Sequence, residues 1–149
     1  MFSSAFSAKK AYKTIELETT VMSASPHKLV LMLYDGAITA IHRAKVHLEQ
    51  KEIPQKGSAI SKAIDIVENG LKSSLDMKVG GDLAIRLSML YDYMCDTLLA
   101  ANMRNDVAKL DEVVGLLNQL KSAWQAIEND PVALAAQAEL VARNQGASS

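Results

Sequence analysis

Residues 25–41 read SPHKLVLMLYDGAITAI, and this stretch decides the fold. Ser25 suits an N-cap, and Pro26 fits the first helical position, where a missing N–H costs nothing. Val30, Leu33, Ala37, Ile41, Ala44 and Leu48 then follow in steps of three and four, which marks one helical face. At 100° per residue, Leu29 and Leu31 flank that face and Met32 points almost opposite it. A helix apolar nearly all round is buried on more than one side. Its first half therefore calls for a core partner and for something else besides.

Outward from this helix the same periodicity recurs. Ile60, Ile64, Val67, Leu71 and Leu75 form a second stripe. Leu83, Leu87, Leu90, Met94, Leu98 and Ala101 form a third, and Leu110, Val113, Leu117, Leu120, Trp124 and Ile127 a fourth. Ile53-Pro54 is expected to end the first helix, because the residue before a proline is pushed out of helical geometry. Residues 78–82 (KVGGD) read as a turn with Asp82 as a cap, and Asn105 or Asp106 caps the next helix. The spacing predicts helices over about 26–52, 58–77, 82–102 and 106–129. No alternating β-branched run interrupts them, so the class is all-α, and short links favour an antiparallel four-helix bundle.

Flanking segments complete the division. Residues 1–24 mix small, polar and basic side chains with isolated apolar ones. They read as an N-terminal segment that docks Tyr12, Ile15 and Leu17 onto the bundle at 25–129 without joining its core. Residues 130–149 form a C-terminal tail, alanine-rich enough for a short helix and polar at the end.

Composition narrows the function. The chain has 149 residues, enough for a sizeable core. Sixteen basic against seventeen acidic side chains give a net charge of −1, which offers nothing to a polyanion, so no nucleic-acid partner is expected. A single cysteine, Cys95, rules out an internal disulfide. No apolar run reaches the length of a signal peptide or a membrane span, so a cytosolic protein without membrane insertion is expected.

Catalytic and metal readings find little support. A di-iron bundle needs Glu-x-x-His on two helices, and no glutamate here has a histidine three residues on. His42 and His47 are five apart and fall on different faces, so no metal or other cofactor is expected. Phosphotransfer through His42 is the one alternative: Lys45 supplies a cation, but Val46 stands where a glycine would let a phosphate approach. Binding has the better signal. Opposite the core face of the third helix, Ile85, Met89, Asp92, Asp96, Leu99 and Met103 recur in steps of four and three. Alternating apolar and acidic side chains there read as a surface for an amphipathic partner helix. Met32, Met89 and Met103 suit it, since methionine repacks around different shapes. The interior glycines Gly36, Gly70 and Gly115 each cost about 1 kcal/mol against alanine, which close helix–helix approach explains most simply.

Three blocks together resemble the FliS family of flagellar secretion chaperones: residues 20–38 (TVMSASPHKLVLMLYDGAI), 73–94 (SSLDMKVGGDLAIRLSMLYDYM) and 101–124 (ANMRNDVAKLDEVVGLLNQLKSAW). The combination of Ser25-Pro26, Leu33-Tyr34-Asp35-Gly36, Ser74-Leu75-Asp76 and Leu90-Tyr91-Asp92-Tyr93 is specific, and Tyr12 sits where the family has an N-terminal tyrosine. Ser23-Ala24 departs from the family, which more often has a threonine there. The resemblance implies an α-helical bundle without catalysis that binds the disordered C-terminal segment of flagellin. It also implies prevention of premature polymerisation and delivery to the export apparatus, with other flagellar regulators as further partners. The N-terminal segment would cover part of the surface until flagellin displaces it. Helical phase puts the partner contacts on Leu29, Met32, Ile85, Met89, Leu99 and Met103, with Tyr12, Ile15 and Leu17 in the cover. A monomer is expected, with N-terminal swapping as the route to a dimer.

Overall fold

A computed structural model describes residues 25–127, and within them the chain is four helices. Helix α1 spans Pro26–Glu49. The Ser25 hydroxyl accepts from the Lys28 amide at 3.2 Å, so the expected cap forms. Helix α2 begins at Ile53–Asp65 and continues through a π-helical turn, Ile66–Leu71, and a 3-10 turn, Lys72–Ser74. Helices α3 (Met77–Arg104) and α4 (Val107–Ala126) complete the set. The principal contacts run α1 to α2, α2 to α3, α3 to α4 and α4 back to α1, so α1 and α3 occupy opposite corners.

The core is continuous. Leu33, Tyr34, Ile41, Ile60, Ile66, Met94, Leu98, Leu110 and Leu117 are fully buried, drawing on all four helices. Each such side chain contributes about 1.5–3 kcal/mol of burial. Among the described residues no helix is long and apolar enough to cross a membrane.

Several boundaries differ from expectation, each for a local reason. Pro54 does not end α1. It sits in the first turn of α2, where its missing N–H is harmless, and the stretch 54–58 is helical. The true corner is Gln50 to Glu52, with Lys51 in the left-handed region at φ 60°. The Glu52 amide reaches back to the His47 carbonyl at 2.8 Å, and the Lys51 amide to Leu48 at 3.1 Å. At the far end, α2 stops short of residue 77. The π turn adds a residue to the spiral, so the adjacent Ile66 and Val67 are both fully buried, which a regular α-helix would not allow. The Ser74 hydroxyl donates to the Gly70 carbonyl at 2.5 Å, and Leu75 is extended.

The third helix starts earlier than expected. Asp76, not Asp82, caps it, accepting from the amides of Lys78 and Val79 at 3.1 Å each. The turn expected at 78–82 survives as a break at Gly81 (φ 53°, ψ −132°) inside α3. Leu83, expected in the core, follows that break and is exposed. At the other end Asn105 closes α3 in the left-handed region and Asp106 caps α4, accepting from the Lys109 amide. Gly115 has no heavy atom within 4 Å of where a Cβ would stand, so close helix approach does not account for it.

Candidate partner-binding surface

Helix α3 carries the surface. Packed between α2 and α4, it commits Ala84, Leu87, Tyr91, Met94, Leu98 and Ala101 to the core. The opposite face has no helix on it. Of the eleven large apolar side chains exposed among the described residues, eight lie on α3. Ile85 (46% exposed), Met89 (66%), Leu99 (50%) and Met103 (83%) form the row expected from the sequence. In steps of four and three they stay within about 80° of one another around the axis. A chain of packed helices that leaves its largest flexible apolar side chains on one open ridge is displaying an interaction surface.

The flanks of the ridge are charged and fixed. Lys72 of the α2 terminus holds Asp92 at 2.6 Å and lies 3.6 Å from Glu68. The hydrogen bond to Asp92 raises the Lys72 ammonium above its usual range. On the other flank Tyr93 donates to Glu112 of α4, and that bond raises the Tyr93 phenol. Asp96 stands exposed between the apolar residues. The ridge can thus accept the apolar face of an amphipathic segment and present carboxylates to its basic side chains.

The remaining expected residues are placed differently. Leu29 is 3% exposed and belongs to the core cluster. Helix α1 is packed by both α2 and α4, so the flank that phase alone left outside is covered, and Leu29 leaves the open surface. Met32 is half-buried against the same core, on a different corner from the α3 ridge. Tyr12, Ile15 and Leu17 lie outside the described residues. His42 is exposed on α1. Cys95 is buried beneath the ridge flank, where burial pushes its thiol up to about 12, a poor nucleophile.

The structure adds residues that sequence phase missed. Met77, Val79 and Leu83 cluster around the break at Gly81, and Tyr93 joins them from the α4 flank, all exposed. The adjacent Gly80-Gly81 was the available signal, because a break there resets the phase of everything before it.

Most of the motifs that carried the resemblance turn out to build the bundle. In 33–35, Leu33 is core, Tyr34 is buried, and Asp35 holds Lys121 of α4 at 2.5 Å. In 74–76, Ser74 closes α2 and Asp76 opens α3. Tyr91 reaches Tyr34 across the core.

Known proteins agree with this architecture. Residues 8–131 match the family described as Flagellar protein FliS. The chain is 52% identical over 118 residues to the flagellar secretion chaperone FliS of Salmonella typhimurium, covering 79% of this chain and 87% of that protein. It is 41% identical over 125 residues to the flagellar secretion chaperone FliSB of Pseudomonas aeruginosa, covering 84% and 98%. Similarity extends to the flagellar secretion chaperone FliS of Bacillus subtilis, 32% identical over 114 residues, covering 76% and 84%.

Proposed function

The chain belongs to the FliS family of flagellar secretion chaperones, and from that membership we propose that it is a cytosolic, non-catalytic chaperone for the C-terminal segment of flagellin. The apolar ridge of α3 carries the reading: Ile85, Met89, Leu99 and Met103 are exposed on one unpacked face. A disordered segment that folds on binding gives up roughly 2–5 kcal/mol in ordering. At about 25 cal/mol per Å2, a few hundred Å2 of newly buried apolar surface offsets that. Wrapped in this way, flagellin is kept from polymerising and is handed to the export apparatus. The N-terminal segment with Tyr12, Ile15 and Leu17 covers part of the surface in the empty chaperone, lowering apparent affinity while shielding apolar side chains.

Calorimetric titration with a peptide carrying the C-terminal segment of the organism's flagellin tests this. Saturable one-to-one binding with a large negative heat-capacity change is expected. A chain lacking residues 1–18 binds more tightly if that segment is the cover. Absence of heat at concentrations of tens of micromolar overturns the chaperone reading.

A further inference from the structure

A second site lies away from the α3 ridge, where the end of α1 meets the start of α2. Arg43, His47, Ser58 and Lys62 rim a cleft of about 410 Å3 whose floor includes Ala40 and Ala59. The lysines that reach neighbouring helices elsewhere are paired: Lys45 with Asp111, Lys72 with Asp92, Lys121 with Asp35. Among the described residues Arg43 and Lys62 hold no carboxylate. The first turn of α2 also opens onto this cleft through Pro54 and Gln55. That helix end has no side-chain cap, because the Glu52 carboxylate, at its cap position, accepts from His47 Nδ1 at 2.8 Å instead. An uncapped helix start carries partial positive charge. Two unpaired cations and an uncapped helix start thus converge on one concavity.

We propose that this cleft binds an acidic peptide segment of a partner protein, a carboxylate seated between Arg43 and Lys62 and its neighbouring apolar groups against Ala40 and Ala59. The apolar floor favours a peptide over a bare inorganic anion, which would leave that floor uncovered. The volume suits a few side chains. Because α1 and α3 occupy opposite corners, the α3 ridge stays open while this cleft is filled. The proposal therefore stands or falls independently of flagellin binding.

The test is titration of the isotopically labelled full chain with a fluorescein-labelled peptide of alternating glutamate and alanine, read by amide NMR shifts and by anisotropy. Saturable binding is expected, with shifts confined to the surroundings of Arg43, Ser58 and Lys62. Added salt weakens it, and replacing the peptide's glutamates with glutamine abolishes it. Arg43→Ala with Lys62→Ala weakens binding by about tenfold, the loss expected for two charge-assisted contacts at a half-open site. No saturation up to millimolar peptide, shifts centred on α3, or equal binding of the glutamine peptide each overturn the proposal. The shift map on the unaltered chain decides the matter even where the double variant folds poorly.

Discussion

The phenol oxygens of Tyr34 and Tyr91 meet at 2.6 Å inside the bundle, with 0% and 1% of their residues exposed. They join α1 and α3, the helices on opposite corners, and so fix a diagonal that the principal helix contacts leave open. Each hydroxyl gives the other a partner that water cannot supply. Removing one strands its mate. Tyr34→Phe and Tyr91→Phe should each cost about 1–3 kcal/mol, the penalty for a buried unsatisfied group. The double Phe variant should cost clearly less than the two singles added, since no orphan remains. Urea unfolding of the four chains as a double-mutant cycle checks this, and strict additivity would refute the coupling.

The same pair makes alkaline stability predictable. Burial pushes the Tyr34 phenol up to about 12, only partly opposed by hydrogen bonding to Tyr91 and Trp124. Burial likewise holds Tyr91 well above 10. An unfolded tyrosine ionises near 10, so above that pH the unfolded chain releases protons that the folded chain keeps, and stability falls as pH rises. Buried Cys95 acts in the same direction from about pH 9. Unfolding free energy should decline between about pH 9 and pH 12, with Tyr34 alone contributing a few kcal/mol at about 1.4 per unit. In the double Phe variant the decline should be shallower, which pH-resolved urea titrations would reveal.

How legible this was depended on whether phase stayed regular. On α1 and α4 an unbroken 3.6 period placed Leu33, Ile41, Leu110 and Leu117 in the core as expected. Phase alone could not place Leu29, since its burial depends on which two helices flank α1. The π turn at 66–71 and the break at Gly81 each shift the register without a residue that announces it from a distance, so Ile66 and Leu83 exchanged the roles expected of them. Pro54 was ambiguous in principle, because a proline that stops one helix is equally able to start the next. The α3 ridge was legible because it lies beyond the break, where the period is undisturbed.

Asp76 should behave as a structural cap and not as a contact for flagellin. Its residue is 5% exposed and its carboxylate serves two amides of the first α3 turn. Asp76→Ala is expected to cost about 1–2 kcal/mol, and Asp76→Asn, which keeps an acceptor, distinctly less. Denaturant midpoints measure both. If Asp76→Ala lost flagellin affinity at unchanged stability, the capping role would be wrong.

Two glycines should respond in opposite directions. Gly81 sits at φ 53° and ψ −132°, a conformation L residues adopt only with strain, so Gly81→Ala should destabilise by roughly 1–3 kcal/mol. Gly115 is in regular, exposed helix with open space where a Cβ would stand. Gly115→Ala should therefore stabilise by about 0.5–1 kcal/mol. Thermal unfolding of the two single variants separates the signs.

The ridge itself predicts a dissociation of binding from stability. Met89 and Met103 are 66% and 83% exposed, so an aspartate at either position meets water in the free chaperone. Met89→Asp and Met103→Asp should each leave unfolding free energy within about 0.5 kcal/mol of the unaltered chain. Each buries a charge without a partner when the flagellin segment docks, a cost of about 1–3 kcal/mol that corresponds to roughly tenfold weaker binding or more. Leu29→Ala is the contrasting case: its side chain is core, so it should lose about 2–5 kcal/mol of stability. Calorimetry with the flagellin peptide, paired with urea unfolding of the same three proteins, reads both quantities. Aspartate variants that bind as tightly as the unaltered chain would move the flagellin site off the α3 ridge, whatever Leu29→Ala does.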